Sequence, residues 1–312
     1  MNRQPCSPNE RPQTDAGETR RGVGYGVAAY LLWGLFPLFF KQLAHVAPLE
    51  VLSHRIVWSM LTLIIFVSAS SGWSRVATAL TDRRTLLILS VTTLLIATNW
   101  FIFITAVDQG QILQSSLGYF INPLVSVLLG FLFLKERLRR NQVISLVLAC
   151  SGVIIITVHH GTLPWIALVL AITFGLYGLL RKIVAVDALP GLFTETLLLF
   201  PLALGYLLFR AAVGGGMFLH DSLQTSLLLF SAGVITAIPL LWFAASTRRL
   251  RLATVGFMQY ITPTMHFLLA VLAYKEPFDP THLAAFVCIW TGLAIYSYDA
   301  ARGLFDRSRS NP

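Results

Sequence analysis

Ser115 to Leu138 reads SSLGYFINPLVSVLLGFLFLKERL, and Val255 to Phe278 reads VGFMQYITPTMHFLLAVLAYKEPF. Laid side by side without gaps, Ile121 falls on Ile261, Pro123 on Pro263, Leu128 and Leu129 on Leu268 and Leu269, and Lys135 and Glu136 on Lys275 and Glu276. The offset is constant, 263 − 123 = 140. WGLFPLF (Trp33 to Phe39) matches FGLYGLL (Phe174 to Leu180) at an offset of 141. A chain that repeats itself once, in segments this apolar, is expected to fold as two copies of one multi-helix unit, as secondary transporters do.

Lipid has to be the solvent of both copies. Apolar residues make up 56% of the chain and charged residues only 12%, where a soluble domain carries about a quarter charged residues. The net charge of +9 is spread in short basic clusters between apolar runs rather than gathered in one patch. That pattern suits membrane topology and argues against a nucleic-acid partner. Cys6 lies in a polar tail, and Cys150 and Cys288 lie inside apolar runs without CxxC or Cys/His metal spacing. The two inner cysteines read as small hydrophobes, and neither a metal nor a cofactor is expected. Residues 1–21 are polar and Pro-rich and read as a disordered tail. The first apolar run is as long as a full span and lacks a cleavage site, so it is not a signal peptide.

A helix needs roughly 20 apolar residues to cross the hydrocarbon core. Ten segments qualify, at about 22–41, 49–70, 85–107, 112–134, 141–159, 163–182, 189–209, 223–245, 252–274 and 281–298. With the N-terminus in the cytoplasm, nineteen basic residues fall inside and only Lys41, Arg210 and Lys275 outside, with Arg55 within a span. The positive-inside rule therefore favours ten spans with both termini cytoplasmic. Five spans per repeat then insert the second copy upside down. The expected fold is all-α integral membrane, ten transmembrane helices as two inverted five-helix repeats. Residues 22–160 form the first repeat and 161–300 the second, with a cytoplasmic tail at 301–312.

Charges within spans are costly and mark function by default. Arg55, in LSHRIVWS, and Glu195, in FTETLLLFP, are repeat-equivalent, 195 − 55 = 140. Each is a candidate to guard one mouth of a central cavity. The alternative is that each snorkels to its nearest interface or pairs locally, Arg55 with Glu50. Glu195 is also the candidate for proton coupling. His54, beside Arg55, is weaker. Gly118, Asn122 and Pro123 are expected to break the fourth span, and Pro263 the ninth, freeing backbone groups for a substrate; Pro37 and Pro239 could act likewise. Tyr119, Asn122, Gln259 and Tyr260 bring hydrogen-bonding ends to those places, and Asn99 and Trp100 add a polar group and a ring in the third span. The alternative for each is a packing kink or an interfacial anchor. His159 and His160, at a span end without a carboxylate cluster, read as interfacial rather than metal ligands.

TNWFIFITAV, the fourth-span motif, YGLLRK, TAIPLLWFAASTRRLRLATVGFMQYITPT and IWTGLAIY resemble, over about residues 22–300, the EamA family of the drug/metabolite transporter (DMT) superfamily. Within it they are most similar to the branch labelled by chloramphenicol sensitivity, a phenotype rather than a substrate. The resemblance implies an inner-membrane permease for small metabolites or drug-like solutes. No HExxH, GxSxG or GxxxxGK[ST] occurs, which disfavours an enzyme or an ATP-driven pump. The expected protein is a secondary permease, monomer or homodimer, working by alternating access, one half rocking against the other. Its partners are a small-molecule substrate, the lipid bilayer and protons. A membrane solute sensor or scaffold without transport is the rival reading.

Overall fold

The computed structural model describes residues 16–135, 138–247, 249–250 and 258–309. Its elements are all helical: α1 (Ala16–Gly34), α2 (Phe36–Lys41), α3 (Pro48–Ala69), α4 (Trp73–Thr81), α5 (Arg83–Asp108), α6 (Ile112–Leu134), α7 (Arg140–His160), α8 (Trp165–Ile183), α9 (Ala188–Ala212), α10 (Leu223–Thr247), α11 (Ile261–Leu268) and α12 (Pro280–Arg309). A π-helical turn, Leu269–Ala273, follows α11. Among the described residues nine segments, with α1 and α2 joined as one, are long and apolar enough to cross a membrane. Ile261–Ala273 is a shorter apolar helix. The chain is thus an all-α integral membrane protein with about ten spans. The start of the ninth expected span lies outside the described residues.

Lipid enforces the helices where propensity alone would not. Helix α5 contains TLLILSVTTLLIATNWFIFIT, rich in β-branched residues that are mediocre helix formers in water. In hydrocarbon an unpaired backbone group costs several kcal/mol, so the chain stays helical. Its hydroxyls turn back onto the same ladder: Ser90 donates to the Leu86 carbonyl at 2.8 Å, Thr93 to Leu89 at 2.6 Å and Thr105 to Phe101 at 2.8 Å. Large apolar side chains face outward as well as inward; Leu202 is 71% exposed and Leu94 65%. Only lipid makes such an exterior stable.

Several expectations are corrected. Helix α1 begins at Ala16, so 16–21 are helical rather than part of a disordered tail. Glu18 fastens this turn, accepting from Arg249 Nε at 2.8 Å and Arg21 at 3.1 Å. Helix α12 likewise continues to Arg309, through most of the expected C-terminal tail. Helix α4 was not anticipated. It buries Val76 and Ala79, and Trp73 meets Phe193 edge-on at 5.3 Å.

The expected breaks occur only in part. Helix α6 runs unbroken through Gly118, Asn122 and Pro123, and α10 runs through Pro239. Pro263 sits in the first turn of α11, after the N-cap residue Tyr260, where a missing N–H costs nothing. One interruption is at Leu35, immediately before α2, whose second residue is Pro37. The ninth span turns at Gln259 and Tyr260, just ahead of Pro263, and is irregular again at its π-helical turn.

The two halves interleave. Helix α1 packs on α10 and α11, α3 on α9 and α10, α6 on α8 and α11, α5 on α8, and α7 on α12. Three of these contacts are backbone-close, α7 on α12 through Gly152 and Gly292 and two others more tightly. A Cβ on Gly118 would lie 2.6 Å from the Ala167 carbonyl oxygen, and one on Gly233 2.3 Å from the Trp58 carbonyl carbon. Gly118 is therefore a crossing point between α6 and α8.

Gly118→Val is expected to destabilise the protein by about 1–3 kcal/mol, because backbone rather than a flexible side chain must give way. Gly178→Val, with nothing within 4 Å of the added carbon, should leave the melting temperature nearly unchanged. Thermal unfolding in detergent compares the two.

Candidate functional site

Arg55 points from α3 into the bundle and is 4% exposed. Its Nε donates to Thr236 Oγ1 on α10 at 2.8 Å. Its guanidinium carbon lies 4.2 Å from the centroid of the Trp100 ring, 5.6 Å from Phe36 and 5.7 Å from Phe40. The alternative, a local pair with Glu50, does not form. Glu50 is committed elsewhere, accepting from the Met217 backbone N–H at 2.6 Å and pairing with Arg210 at 3.3 Å. No carboxylate pairs with Arg55 among the described residues.

Glu195, on α9, is 1% exposed. Oε1 accepts from Thr92 on α5 at 2.6 Å and lies 3.9 Å from Arg181 Nε; Oε2 accepts from Tyr177 at 3.2 Å. Neither Arg55 nor Glu195 snorkels. Each reaches a threonine of the other half of the chain, Arg55 to Thr236 and Glu195 to Thr92. A narrow cleft beside them is lined by Ser59, Trp100, Thr196 and Thr236 with Leu63, Leu192 and Leu240.

A second polar group surrounds the fourth span. Asn99 donates from Nδ2 to the Leu170 carbonyl at 3.0 Å and to Thr173 at 2.9 Å, and accepts from the Tyr119 hydroxyl at 3.5 Å. Tyr119 meets the ring of His266, which stacks on Phe103 with centroids 5.4 Å apart. His266 was missed by sequence reasoning. It is 1% exposed, and its Nε2 lies 3.1 Å from the Trp33 carbonyl. A nitrogen facing a carbonyl must donate, which leaves Nδ1 buried without a partner. Asn122 is also buried with an unpartnered Nδ2, while its Oδ1 accepts from Ser126.

Other candidates fall outside these groups. His54 is buried against Phe218 and accepts from Trp58 Nε1 at 3.3 Å. Gln259 and Tyr260 form the half-buried turn before α11. His159 and His160 end α7, and no three metal-binding side chains converge among the described residues.

The repeated Lys-Glu pair does structural work that its motif did not reveal. Lys275 takes a left-handed conformation, φ 53°, as Lys135 does at φ 54°. This turns Glu276 onto the start of α6, where its two oxygens accept from the Ile112 and Leu113 N–H groups at 2.8 and 2.7 Å. Glu136 lies outside the described residues. Burial raises the Glu276 carboxyl above its ordinary value, opposed by the two N–H groups and Lys41.

An apolar helical bundle with opposite charges sealed beside an internal cleft defines a multi-pass membrane protein of the transporter class. Comparison with known proteins narrows the class. The profile of the EamA-like transporter family matches residues 20–158. A protein RarD of Escherichia coli is 43% identical over 286 residues, covering 92% of this chain and 97% of that protein. An uncharacterized transporter of Vibrio cholerae is 44% identical over 288 residues, 92% of this chain and 95% of its own. A chloramphenicol-sensitive protein RarD of Pseudomonas aeruginosa is 32% identical, covering 93% and 97%. A solved structure entitled "Crystal structure of protein" superposes with a TM-score of 0.56 at 17% identity, over 89% of this chain and 97% of that one, a likeness of fold alone. The chain belongs to the EamA-like transporter family, alongside the RarD proteins, and is a membrane transporter.

Removing one partner of a buried pair leaves an uncompensated charge. Arg181→Ala is expected to cost about 3 kcal/mol, and adding Glu195→Gln to that variant should restore most of the loss. Melting temperatures of both single variants and the double variant measure this coupling. At Glu276, a raised carboxyl contributes stability that is complete below the ordinary value of 4.5 and lost as pH rises through the raised one. Relative to Glu276→Gln, the wild type should therefore gain melting temperature as pH falls from neutral towards 4.5.

Proposed function

We propose that the protein is a secondary permease of the inner membrane, moving a small metabolite or drug-like solute by alternating access through the cleft beside Arg55 and Glu195. The observation that carries this reading is the pair of buried opposite charges at repeat-equivalent positions. Each is held by a threonine from the opposite half, and Thr236 and Thr196, the chain neighbour of Glu195, both wall a cleft. A sealed charge is costly, and one beside a cleft in a transporter has a use in binding or gating. The two repeats, 22–160 and 161–300, are inverted in this proposal, which places Arg55 and Glu195 at mirrored depths. The basic clusters support a cytoplasmic side for both termini in this proposal.

In this reading Arg55 and Trp100 meet the solute. Glu195, with Thr92 and Tyr177, gates the other mouth and carries the coupling proton. Asn99, Tyr119, Asn122 and His266 line the route beside α6. His54, Gln259 and Tyr260 have packing roles. The chloramphenicol label belongs to a relative of this chain, so that drug is one solute to test.

Liposomes containing the full chain, incubated with a bacterial metabolite extract and with chloramphenicol, should exchange at least one solute faster than empty liposomes, read by mass spectrometry of the lumen. Arg55→Ala should abolish the exchange. Collapsing the pH gradient should slow wild-type accumulation but not exchange by Glu195→Gln. Liposomes that retain and admit the same solutes as empty ones would leave a sensor or scaffold as the better reading.

A further inference from the structure

Charge is unequally compensated in the core. Glu50 has Arg210 and a backbone N–H, and Glu195 has Arg181 and two hydroxyls. Arg55 has one neutral hydroxyl and three aromatic rings. A guanidinium has five N–H donors, and only Nε is used. Its two terminal nitrogens make no hydrogen bond, yet they are not among the polar atoms sealed from open space. The residues that hold the guanidinium, Thr236 and Trp100, are themselves walls of the cleft. A desolvated cation with its terminal nitrogens unbonded, held by two residues that wall a cleft, is an incomplete ion pair.

The shape of the vacancy specifies its complement. The outer edge of a guanidinium presents two parallel N–H donors, which match the two oxygens of a carboxylate. A phosphate ester offers the same fork but brings close to two negative charges, while Arg55 supplies a single positive one. Trp100 and the leucines around the cleft favour an apolar body. The cleft is narrow in this structure, so the body is compact.

We propose that the solute is a small organic monoanion with an apolar or aromatic body, its carboxylate held by the outer edge of Arg55 and its body lying in the cleft along Trp100. This rests on the cleft being the transport site and names the chemical class that site accepts.

The test uses the purified full chain, with tryptophan fluorescence and melting temperature as readouts. The probes are benzoate, phenylacetate and indole-3-acetate, against their amides, benzylammonium and phenyl phosphate. At least one carboxylate should bind saturably, and its amide should bind about tenfold or more weakly, the loss of a charge-assisted hydrogen bond. Arg55→Gln should lose the carboxylate by a similar factor, and Arg55→Lys should retain part of it. The carboxylate-to-amide comparison needs only the wild type, so it decides the matter even if Arg55→Gln fails to fold. No binding by any carboxylate, equal binding by amide or benzylammonium, preference for phenyl phosphate, or undiminished binding by folded Arg55→Gln would each overturn the proposal. Arg55-dependent carboxylate binding without solute exchange in liposomes would retire the transport reading and leave this site standing. Exchange without carboxylate preference would do the reverse.

Discussion

A charged group taken from water into hydrocarbon loses its hydration, and the core of this protein is arranged around that cost. Glu195 survives at 1% exposure because an arginine and two hydroxyls surround it. Glu50 survives because a second arginine and a backbone N–H do the same at the other end of the bundle. Arg55 is stabilised differently, by ring faces and one threonine. The same cost acts on the backbone. It keeps the prolines of α6 and α10 inside continuous helices and folds the hydroxyls of α5 onto their own carbonyls. Secondary structure, packing and site chemistry all answer to the absence of water.

That constraint also decides what could be read from the chain alone. The spans were legible because apolar length is a direct record of bilayer thickness. Arg55 and Glu195 were legible because charges are scarce where they sit. Their partners were not. Thr236 is 181 residues from Arg55 and Thr92 is 103 from Glu195, and a threonine in a helix announces no partner. Arg181 was counted as a topological charge because it closes a span, although its side chain folds back to Glu195. His266 was overlooked within a motif examined for its proline. Helix α4 escaped a search tuned to lengths of about 20 residues. Gly118 shows the limit most plainly, since whether a glycine marks a bend or a crossing depends on the neighbouring helix.

The two halves have kept some features in step and let others diverge. Lys135 and Lys275 share a left-handed backbone to within a degree. Where the first half has Pro37 and an interrupted helix, the second has Gly178 inside a continuous α8. The fourth span is α-helical to its end, while the ninth finishes in a π-helical turn. The two ends of the bundle are therefore chemically unequal. One presents a cation in an aromatic cage, and the other an acid already neutralised.

The crossings at Gly118 and Gly233 bear on how such a molecule can move. The first joins the fourth span to the sixth, and the second joins the eighth to the second. Each fastens a helix of the first half to a helix of the second, backbone against backbone. Rocking one sequence half rigidly past the other would have to prise both joints apart. Any motion that preserves them must divide the bundle into composite blocks, each assembled from both copies of the repeat. A motion that keeps both joints would therefore not follow the boundary between the two sequence halves.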